Sequence, residues 1–152
     1  MRITDFLSKD AIVTDLKAED KKSAITELVN VLKTTKKLKD AEKVVEVILE
    51  REKLGSTGIG QGVAIPHGKS DVLQNQVAAL GISKKGIDFN SLDGESVYIV
   101  FLLTGPVEVA GLHLKALSRI SRLFKDKYLR QAIRESATAD EIAKIIENED
   151  AY

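Results

Sequence analysis

The chain has 152 residues, with 23 basic side chains, 23 acidic side chains and no cysteine. The absence of cysteine excludes a disulfide framework, thiolate catalysis and cysteine-ligated metals, and the balanced charge argues against a nucleic-acid-binding protein that works through a broad basic face. Because no apolar run approaches membrane-spanning length and the first residues lack the apolar core of a signal peptide, we expect a cytoplasmic protein without membrane insertion.

The first part of the chain predicts one short strand followed by two helices. Residues 12–13 are strand-like. Apolar residues recur at helical spacing from about residue 20 to residue 32, and again from about residue 40 to residue 52, with a lysine-rich break between the two stretches. We expect an amphipathic helix over each stretch.

The middle of the chain predicts a glycine-rich loop and three strands. Residues 55–62 are rich in glycine, serine and threonine and predict a loop, and residues 63–65 predict a short strand that a proline ends. Residues 77–83 and 97–103 are apolar runs of strand length. The second run does not alternate, which is typical of a central strand covered on both faces. Residues 84–86 predict a turn between these two strands.

The last part of the chain predicts three helices. The first two cover residues 109–124 and residues 128–134. The third begins with a capping box, in which the side chains of Thr138 and Glu141 each satisfy a backbone amide at the helix start. Its acidic end, residues 147–152, is expected to fray.

The order of helices and strands predicts an α/β fold. We expect a single domain over residues 1–152, with a mixed parallel and antiparallel sheet that helices flank. No internal repeat, linker or low-complexity segment interrupts the chain.

The first of the two histidines, His67, lies in a segment shaped by proline and glycine. Pro66 fixes its own φ and removes a backbone donor. Four glycines lie around the Pro-His pair: Gly58, Gly60, Gly62 and Gly68. We therefore expect an exposed imidazole on a stiff loop, able to act as a base, a metal ligand or a nucleophile. The alternative is a histidine that only caps a turn.

The second histidine, His113, lies in the first turn of a predicted helix. It shares an apolar stripe with Ala116 and Ile120, so a structural histidine is an open alternative to a site residue. Free amides and the helix dipole at this end favour an anion. If His113 meets His67 there, the pair forms a two-histidine site suited to a phosphoryl group.

Three more polar residues lie beside the glycine-rich stretch. Arg51 precedes it and can bind a phosphate bidentately. Ser56 and Thr57 either donate hydroxyl hydrogen bonds at that site or cap a turn. The chain has no P-loop, dinucleotide-binding, zinc-protease or esterase motif, so we expect neither a metal nor a cofactor.

A longer pattern covers residues 52–68. It runs Glu52, six residues, Ile59-Gly60, two residues, and then Val63-Ala64-Ile65-Pro66-His67-Gly68. This string resembles the signature of the enzyme IIA domains of the mannitol/fructose class in the bacterial phosphoenolpyruvate:sugar phosphotransferase system, which include a nitrogen-regulatory branch. Arg51 and the later histidine, His113, resemble that family too, and the resemblance spans essentially the whole chain.

The resemblance implies a phosphohistidine carrier with a mixed sheet flanked by helices. His67 would accept the phosphoryl group from the phosphocarrier HPr or a paralogue, with the tele nitrogen as the candidate position. His113 would orient the imidazole or stabilise charge, and Arg51 would contact the phosphate. The residues expected to support the phosphate-binding loop are Ser56, Thr57, Gly58, Gly60 and Pro66.

Two roles follow from the resemblance. A regulator would bind target proteins in one phosphorylation state, whereas a sugar-specific component would pass phosphate to a IIB domain for fructose- or mannitol-type uptake. Because no IIB, IIC or HPr-like segment is attached, we expect the regulatory role. Two alternatives outside the family are a metal-free hydrolase with His67 as base and His113 as acid, and a binding module that is not phosphorylated.

Overall fold

This computed structural model describes residues 1–150. Within them the chain forms six strands and five α-helices, joined by loops and three short 3-10 helices. The strands are β1 (Ile12–Val13), β2 (Gly58–Gly60), β3 (Val63–Ala64), β4 (His67–Lys69), β5 (Val77–Ile87) and β6 (Val97–Gly105). The helices are α1 (Lys21–Thr34), α2 (Ala41–Lys53), α3 (Ala110–Leu123), α4 (Lys127–Glu135) and α5 (Ala139–Glu149). Within residues 1–150, no helix is both long enough and apolar enough to cross a membrane.

The strands form one mixed sheet in which β6 is central. Strand β5 runs antiparallel to β6 along one side, with Ile82 opposite Ile99, and β1 extends this side as a parallel neighbour of β5. On the other side, β3 and β4 both run parallel to β6, and β2 pairs with β3. The predicted α/β class, mixed sheet and central strand are therefore confirmed.

The core lies between the sheet and the helices. Helix α1 packs on β5 and β6, α2 on β4, and α3 and α4 on β6. The rings of Phe101 in β6 and Phe124 after α3 meet edge to face, with centroids 5.9 Å apart. Each large apolar side chain buried here contributes roughly 1.5–3 kcal/mol. The packed sheet therefore supports the short strands β3 and β4, which pair with β6.

Side-chain caps set the starts of four helices. At the starts of α1, α2 and α4, a carboxylate accepts hydrogen bonds from backbone amides; the three residues are Asp20, Asp40 and Asp126. Thr138 Oγ1 accepts the amide of Glu141 at 3.2 Å, as predicted for α5. The Glu141 carboxylate, however, accepts the amide of Ala137, one residue before the expected partner. Each cap stabilises its helix by about 1 kcal/mol.

Two predicted non-strand segments take part in the sheet. The predicted loop 55–62 contains β2, which pairs with β3. The predicted turn 84–86 lies inside β5, which continues to Ile87 with a register shift between Ile82 and Ile87. Gly86 has φ of 92°, a conformation that glycine tolerates, so an irregularity lets the strand continue where a turn was expected.

The C-terminal end is ordered as far as Asp150, so the expectation that it frays is wrong for residues 147–150. Helix α5 continues to Glu149. Asp150 is buried, and its carboxylate accepts hydrogen bonds from Arg119 Nε at 2.5 Å and from the amide of Ile3 at 2.6 Å. A long-range ion pair therefore anchors this end of the chain. Residues 151–152 lie outside the described residues.

Candidate functional site

His67 lies on a strand, not on an exposed loop. It begins β4 and pairs with Leu103 of β6, and the Leu103 amide donates to the carbonyl of the buried Pro66 at 3.0 Å. The residue is half-buried. A Cβ on Gly68 would lie 2.8 Å from Cγ1 of Val47, so glycine is what lets β4 pack directly against α2. The strand and this helix together hold His67 more rigidly than a loop would.

The orientation of the His67 ring is set by one hydrogen bond. Nδ1 lies 2.8 Å from the carbonyl oxygen of Ile65. Because a carbonyl oxygen only accepts, Nδ1 must carry the proton, and the lone pair of the neutral ring is on Nε2. Burial lowers the pKa of His67; the bond to Ile65 raises it in part, and the charge of Arg51 lowers it. The geometry favours a neutral imidazole with a free Nε2.

His113 lies in the first turn of α3, close to His67. The ring centroids are 5.7 Å apart, with planes inclined at 50°. The side chain is only 3% exposed, and neither ring nitrogen has a hydrogen-bond partner within residues 1–150. Burial lowers its pKa to about 4, with smaller contributions from the charges of His67 and Lys69. His113 is therefore neutral near pH 7, with one unused donor and one unused acceptor.

A cleft of about 550 Å³ opens over the two imidazoles. Arg51 and Lys69 supply positive charge to its wall, and Val47 and Leu117 supply apolar surface. Leu54 and Leu114 also line it, and they are 84% and 65% exposed. Exposed leucines around a polar centre are typical of a surface that a protein partner covers. The cleft thus combines an anion-attracting base with an apolar rim.

Arg51 reaches the site from the last turn of α2. Its Nη1 donates to the carbonyl of Gly55 at 3.0 Å, which fixes the guanidinium at the edge of the cleft. An arginine has five N–H donors, so most remain available to an anion. Arg51, His67 and His113 therefore line one cleft, although they are distant in the sequence.

Ser56 and Thr57 point away from the cleft. The Ser56 hydroxyl donates to the carbonyl of Phe89, which follows β5, and accepts the amide of Gly58 at 3.0 Å. The Thr57 hydroxyl donates to the Glu52 carboxylate. Both hydroxyls therefore donate hydrogen bonds within the fold, and a use of these groups at a phosphate site stays a prediction.

The remaining residues predicted to support the phosphate-binding loop precede His67 in the chain and do not line the cleft: Gly58, Gly60 and Pro66. Gly58 and Gly60 are the end residues of β2, and Gly58 pairs with Ala64 of β3. Pro66 joins β3 to β4 and is buried. These three residues shape the path of the chain that leads to His67.

Glu52 is connected to His67 by hydrogen bonds, although the sequence predicts no role for its side chain. Its side chain is buried; it accepts the Thr57 amide at 3.3 Å and forms an ion pair with Lys21 at 3.1 Å. The Thr57 carbonyl accepts the amide of Ile65, whose own carbonyl accepts from His67. A chain of hydrogen bonds thus links the carboxylate to the imidazole. The sequence feature that could have pointed to Glu52 is its position at the start of the 52–68 pattern.

A group of metal-ligating side chains is not part of this site. Within the part of the chain that the structure describes, no three histidine, aspartate or glutamate side chains lie together in a way that would hold a metal ion. The ionisable groups that line the cleft are two imidazoles, a guanidinium, an ammonium and one carboxylate, that of Glu50, which forms an ion pair with Lys53. The guanidinium and the ammonium suit an anion.

Comparison with known proteins identifies the family. Residues 5–149 match the family described as "Phosphoenolpyruvate-dependent sugar phosphotransferase system, EIIA 2". A nitrogen regulatory protein of Bradyrhizobium diazoefficiens is 42% identical over 147 residues, which is 96% of this chain and 95% of that protein. The fructose-specific EIIABC component of Bacillus subtilis is 39% identical over 150 residues, 99% of this chain. The chain spans only 24% of that longer protein.

A solved structure has the same architecture. The crystal structure of the nitrogen regulatory protein IIA-Ntr from Neisseria meningitidis superposes with a TM-score of 0.88 at 33% identity. The match covers 95% of this chain and 98% of that one. The mixed sheet and the surrounding helices described above are therefore the fold of this family.

Proposed function

Because the chain belongs to the EIIA 2 family of the phosphoenolpyruvate-dependent sugar phosphotransferase system, we propose that it carries a phosphoryl group on Nε2 of His67. Proteins of this family are phosphoryl-transfer components. The observation that supports the position is the 2.8 Å contact between Nδ1 and the Ile65 carbonyl, which leaves Nε2 as the nucleophilic nitrogen. The half-buried ring still faces the cleft.

The transfer step needs no proton to move. The Nε2 lone pair forms a bond to phosphorus while the bond between phosphorus and the donor's histidine nitrogen breaks, and that electron pair returns to the donor nitrogen. The donor ring carries a proton on its other nitrogen and therefore leaves as a neutral imidazole. The donor is HPr or an HPr paralogue, which places the protein in the cytoplasm. The proton on Nδ1 stays on the bond to Ile65. In-line transfer of this kind depends mainly on positioning and on stabilising the charge of the equatorial oxygens.

The groups around His67 suit that charge. Arg51 and Lys69 attract the phosphoryl oxygens, and a neutral His113 can donate its one N–H to them. When the phosphoryl group arrives, its negative charge favours the protonated form of His113 and therefore raises the low pKa of that residue.

Two downstream roles are available, and we favour the regulatory one. The Bradyrhizobium relative, which this chain matches over 95% of its length, is a nitrogen regulatory protein. As a regulator, the protein would engage its targets according to the phosphorylation state of His67. The sugar-specific role, with transfer to a IIB domain, is the second candidate, because the similarly related Bacillus protein is a fructose-specific component.

Intact-mass spectrometry tests the carrier proposal. The protein is incubated with phosphoenolpyruvate, enzyme I and HPr, and the His67→Ala variant is treated in parallel. We expect one acid-labile phosphate on the wild type and none on the variant. Phosphate retained on the variant, or none on the wild type with either HPr or a paralogue as donor, contradicts the assignment. Nitrogen NMR of the phosphorylated ring then distinguishes Nε2 from Nδ1.

A transfer assay separates the two downstream roles. The isolated phosphoprotein is mixed with a purified fructose-type IIB domain, and phosphate on each protein is followed with time. A regulator is expected to lose its phosphate only by spontaneous hydrolysis, without faster loss when the IIB domain is present. Rapid transfer to the IIB domain contradicts the regulatory role and supports the sugar-specific one.

A further inference from the structure

A second concave surface lies at the other end of the β5–β6 hairpin from His67. It is a cleft of about 690 Å³. It includes Ile82, which pairs with Ile99 of β6, whereas His67 pairs with Leu103 of the same strand. Four residues of strand separate these two positions, roughly 13 Å at the rise of a β-strand. We name this cleft, after its helix, the α4 cleft; it is distinct from the site already described.

The walls of the α4 cleft are cationic. Lys127, Arg130 and Arg134 line it from α4, and their spacing of three and four residues places them on one face of that helix. Lys84 faces them from β5. Like charges on one helix face repel by about 0.2–0.5 kcal/mol per pair, and a bound anion would relieve that repulsion.

No carboxylate neutralises these four cations. Within residues 1–150, none of the four forms an ion pair. The one acidic residue that lines the cleft, Glu135, accepts a hydrogen bond from Gln131 Nε2 at 3.1 Å. The cleft therefore carries a local excess of positive charge on a chain whose 23 basic and 23 acidic residues balance.

Two of the cations are held in place before any ligand binds. The guanidinium carbon of Arg134 lies 3.9 Å from the ring centroid of Tyr98. Stacking uses the face of the guanidinium and leaves its N–H donors free at the edge. Arg130 Nη1 donates to the carbonyls of Phe124 and Lys125, at 2.7 and 2.9 Å. Its Nε and Nη2 donors remain available, and little side-chain entropy is lost when they bind.

We propose that the α4 cleft binds a small molecule with two or more adjacent phosphate groups. Guanidinium donors match phosphate oxygens bidentately, and the two lysines add point charges. Gln61 and Gln131 line the cleft with neutral hydrogen-bonding groups, and its volume lies within the range of small-molecule sites. The proposal does not use His67, so it is independent of the proposed carrier function.

Isothermal titration calorimetry with inorganic tripolyphosphate, on the full chain at low ionic strength, tests the α4 cleft. We expect one saturable site on the wild type. Arg134→Gln and Lys127→Gln each remove one charge from the cleft and should weaken binding about tenfold, the usual effect of losing one charge-assisted hydrogen bond. Matched controls are Arg122→Gln and Lys33→Gln, which remove the same charge from exposed positions elsewhere. They should change the affinity less than about twofold.

A fifth variant tests whether the probe binds at the His67 site instead. Arg51→Gln removes a cation from the His67 cleft and should leave tripolyphosphate binding unchanged. The proposal is overturned if the wild type shows no saturable binding, if the control variants lose as much affinity as the α4 variants, or if Arg51→Gln abolishes binding.

Discussion

The two histidines lie 5.7 Å apart, yet the regions that hold them differ in kind. Strand β4 holds His67 by backbone pairing with β6 and by a ring hydrogen bond to Ile65. The first turn of α3 holds His113 by packing alone, with both ring nitrogens lacking partners among residues 1–150. One imidazole has its tautomer fixed, whereas the other can donate from either nitrogen.

This difference fits the separate roles that we propose for the two identical side chains. A nucleophile needs one free nitrogen in a fixed direction, and a backbone carbonyl provides that at little cost. A residue that stabilises arriving charge needs unused hydrogen-bonding capacity, which costs about 1–3 kcal/mol when it is buried. The unpartnered nitrogens of His113 in α3 therefore lower the stability of the fold, whereas His67 in β4 carries no such cost on Nδ1, which is hydrogen-bonded.

The largest effect is expected at His67. In His67→Asn, the side-chain amide can replace Nδ1 as donor to the Ile65 carbonyl, but no nucleophilic nitrogen remains. We expect phosphate uptake to be lost completely, while the free energy of unfolding changes by less than about 1 kcal/mol. Mass spectrometry and urea unfolding measure the two quantities. A large loss of stability would show that the imidazole itself holds the strand.

His113→Leu should move activity and stability in opposite directions. If His113 donates its N–H to the phosphoryl group as we propose, its removal should slow transfer by about 10- to 100-fold. Replacing two buried, unpartnered nitrogens with an apolar side chain should stabilise the fold by about 1 kcal/mol. Rapid-quench kinetics and urea unfolding provide the readouts. If stability falls and transfer is unaffected, His113 is a structural residue.

Glu52→Gln tests the support behind His67. A neutral side chain leaves the partly buried Lys21 without a counterion and presents an amide group to the Thr57 donors. We expect a loss of about 1–3 kcal/mol of stability and a weaker Nδ1–Ile65 bond, visible as mixed tautomers in nitrogen NMR of His67. The matched control is Glu19→Gln, since Glu19 forms an ion pair with the exposed Lys85 and should contribute less than about 0.5 kcal/mol. An unchanged His67 spectrum contradicts the positioning role.

The remaining expected effect is a dependence of stability on pH. Because the folded state lowers the pKa of His113 to about 4, the unfolded chain binds more protons between pH 4 and the ordinary pKa of about 6.5. Stability should therefore rise with pH across this window, by about 1–3 kcal/mol from this residue. Urea unfolding of His113→Leu should show a correspondingly weaker slope. Equal slopes for the two proteins would show that His113 already titrates normally.

Much of the fold could be predicted because helices are local. Apolar spacing placed α1 and α2 close to their observed starts, and the predicted capping residue Thr138 did so for α5. The short strands β2 and β4 were not predicted, since their glycine-rich sequences have little strand propensity of their own. They form because β3 and β6 offer backbone partners.

The local sequence alone determined the family and the acceptor candidate: the pattern from Glu52 to Gly68 contains the Pro-His pair, and Arg51 adjoins it. Only the tertiary structure decided that His67 lies on a strand with Nε2 free, and that a neutral His113 lies beside it. Tautomer, burial and pKa depend on groups brought together from distant parts of the chain, so no local pattern specifies them. The cations of the α4 cleft show the same principle, because helix periodicity aligns three of them and folding adds the fourth.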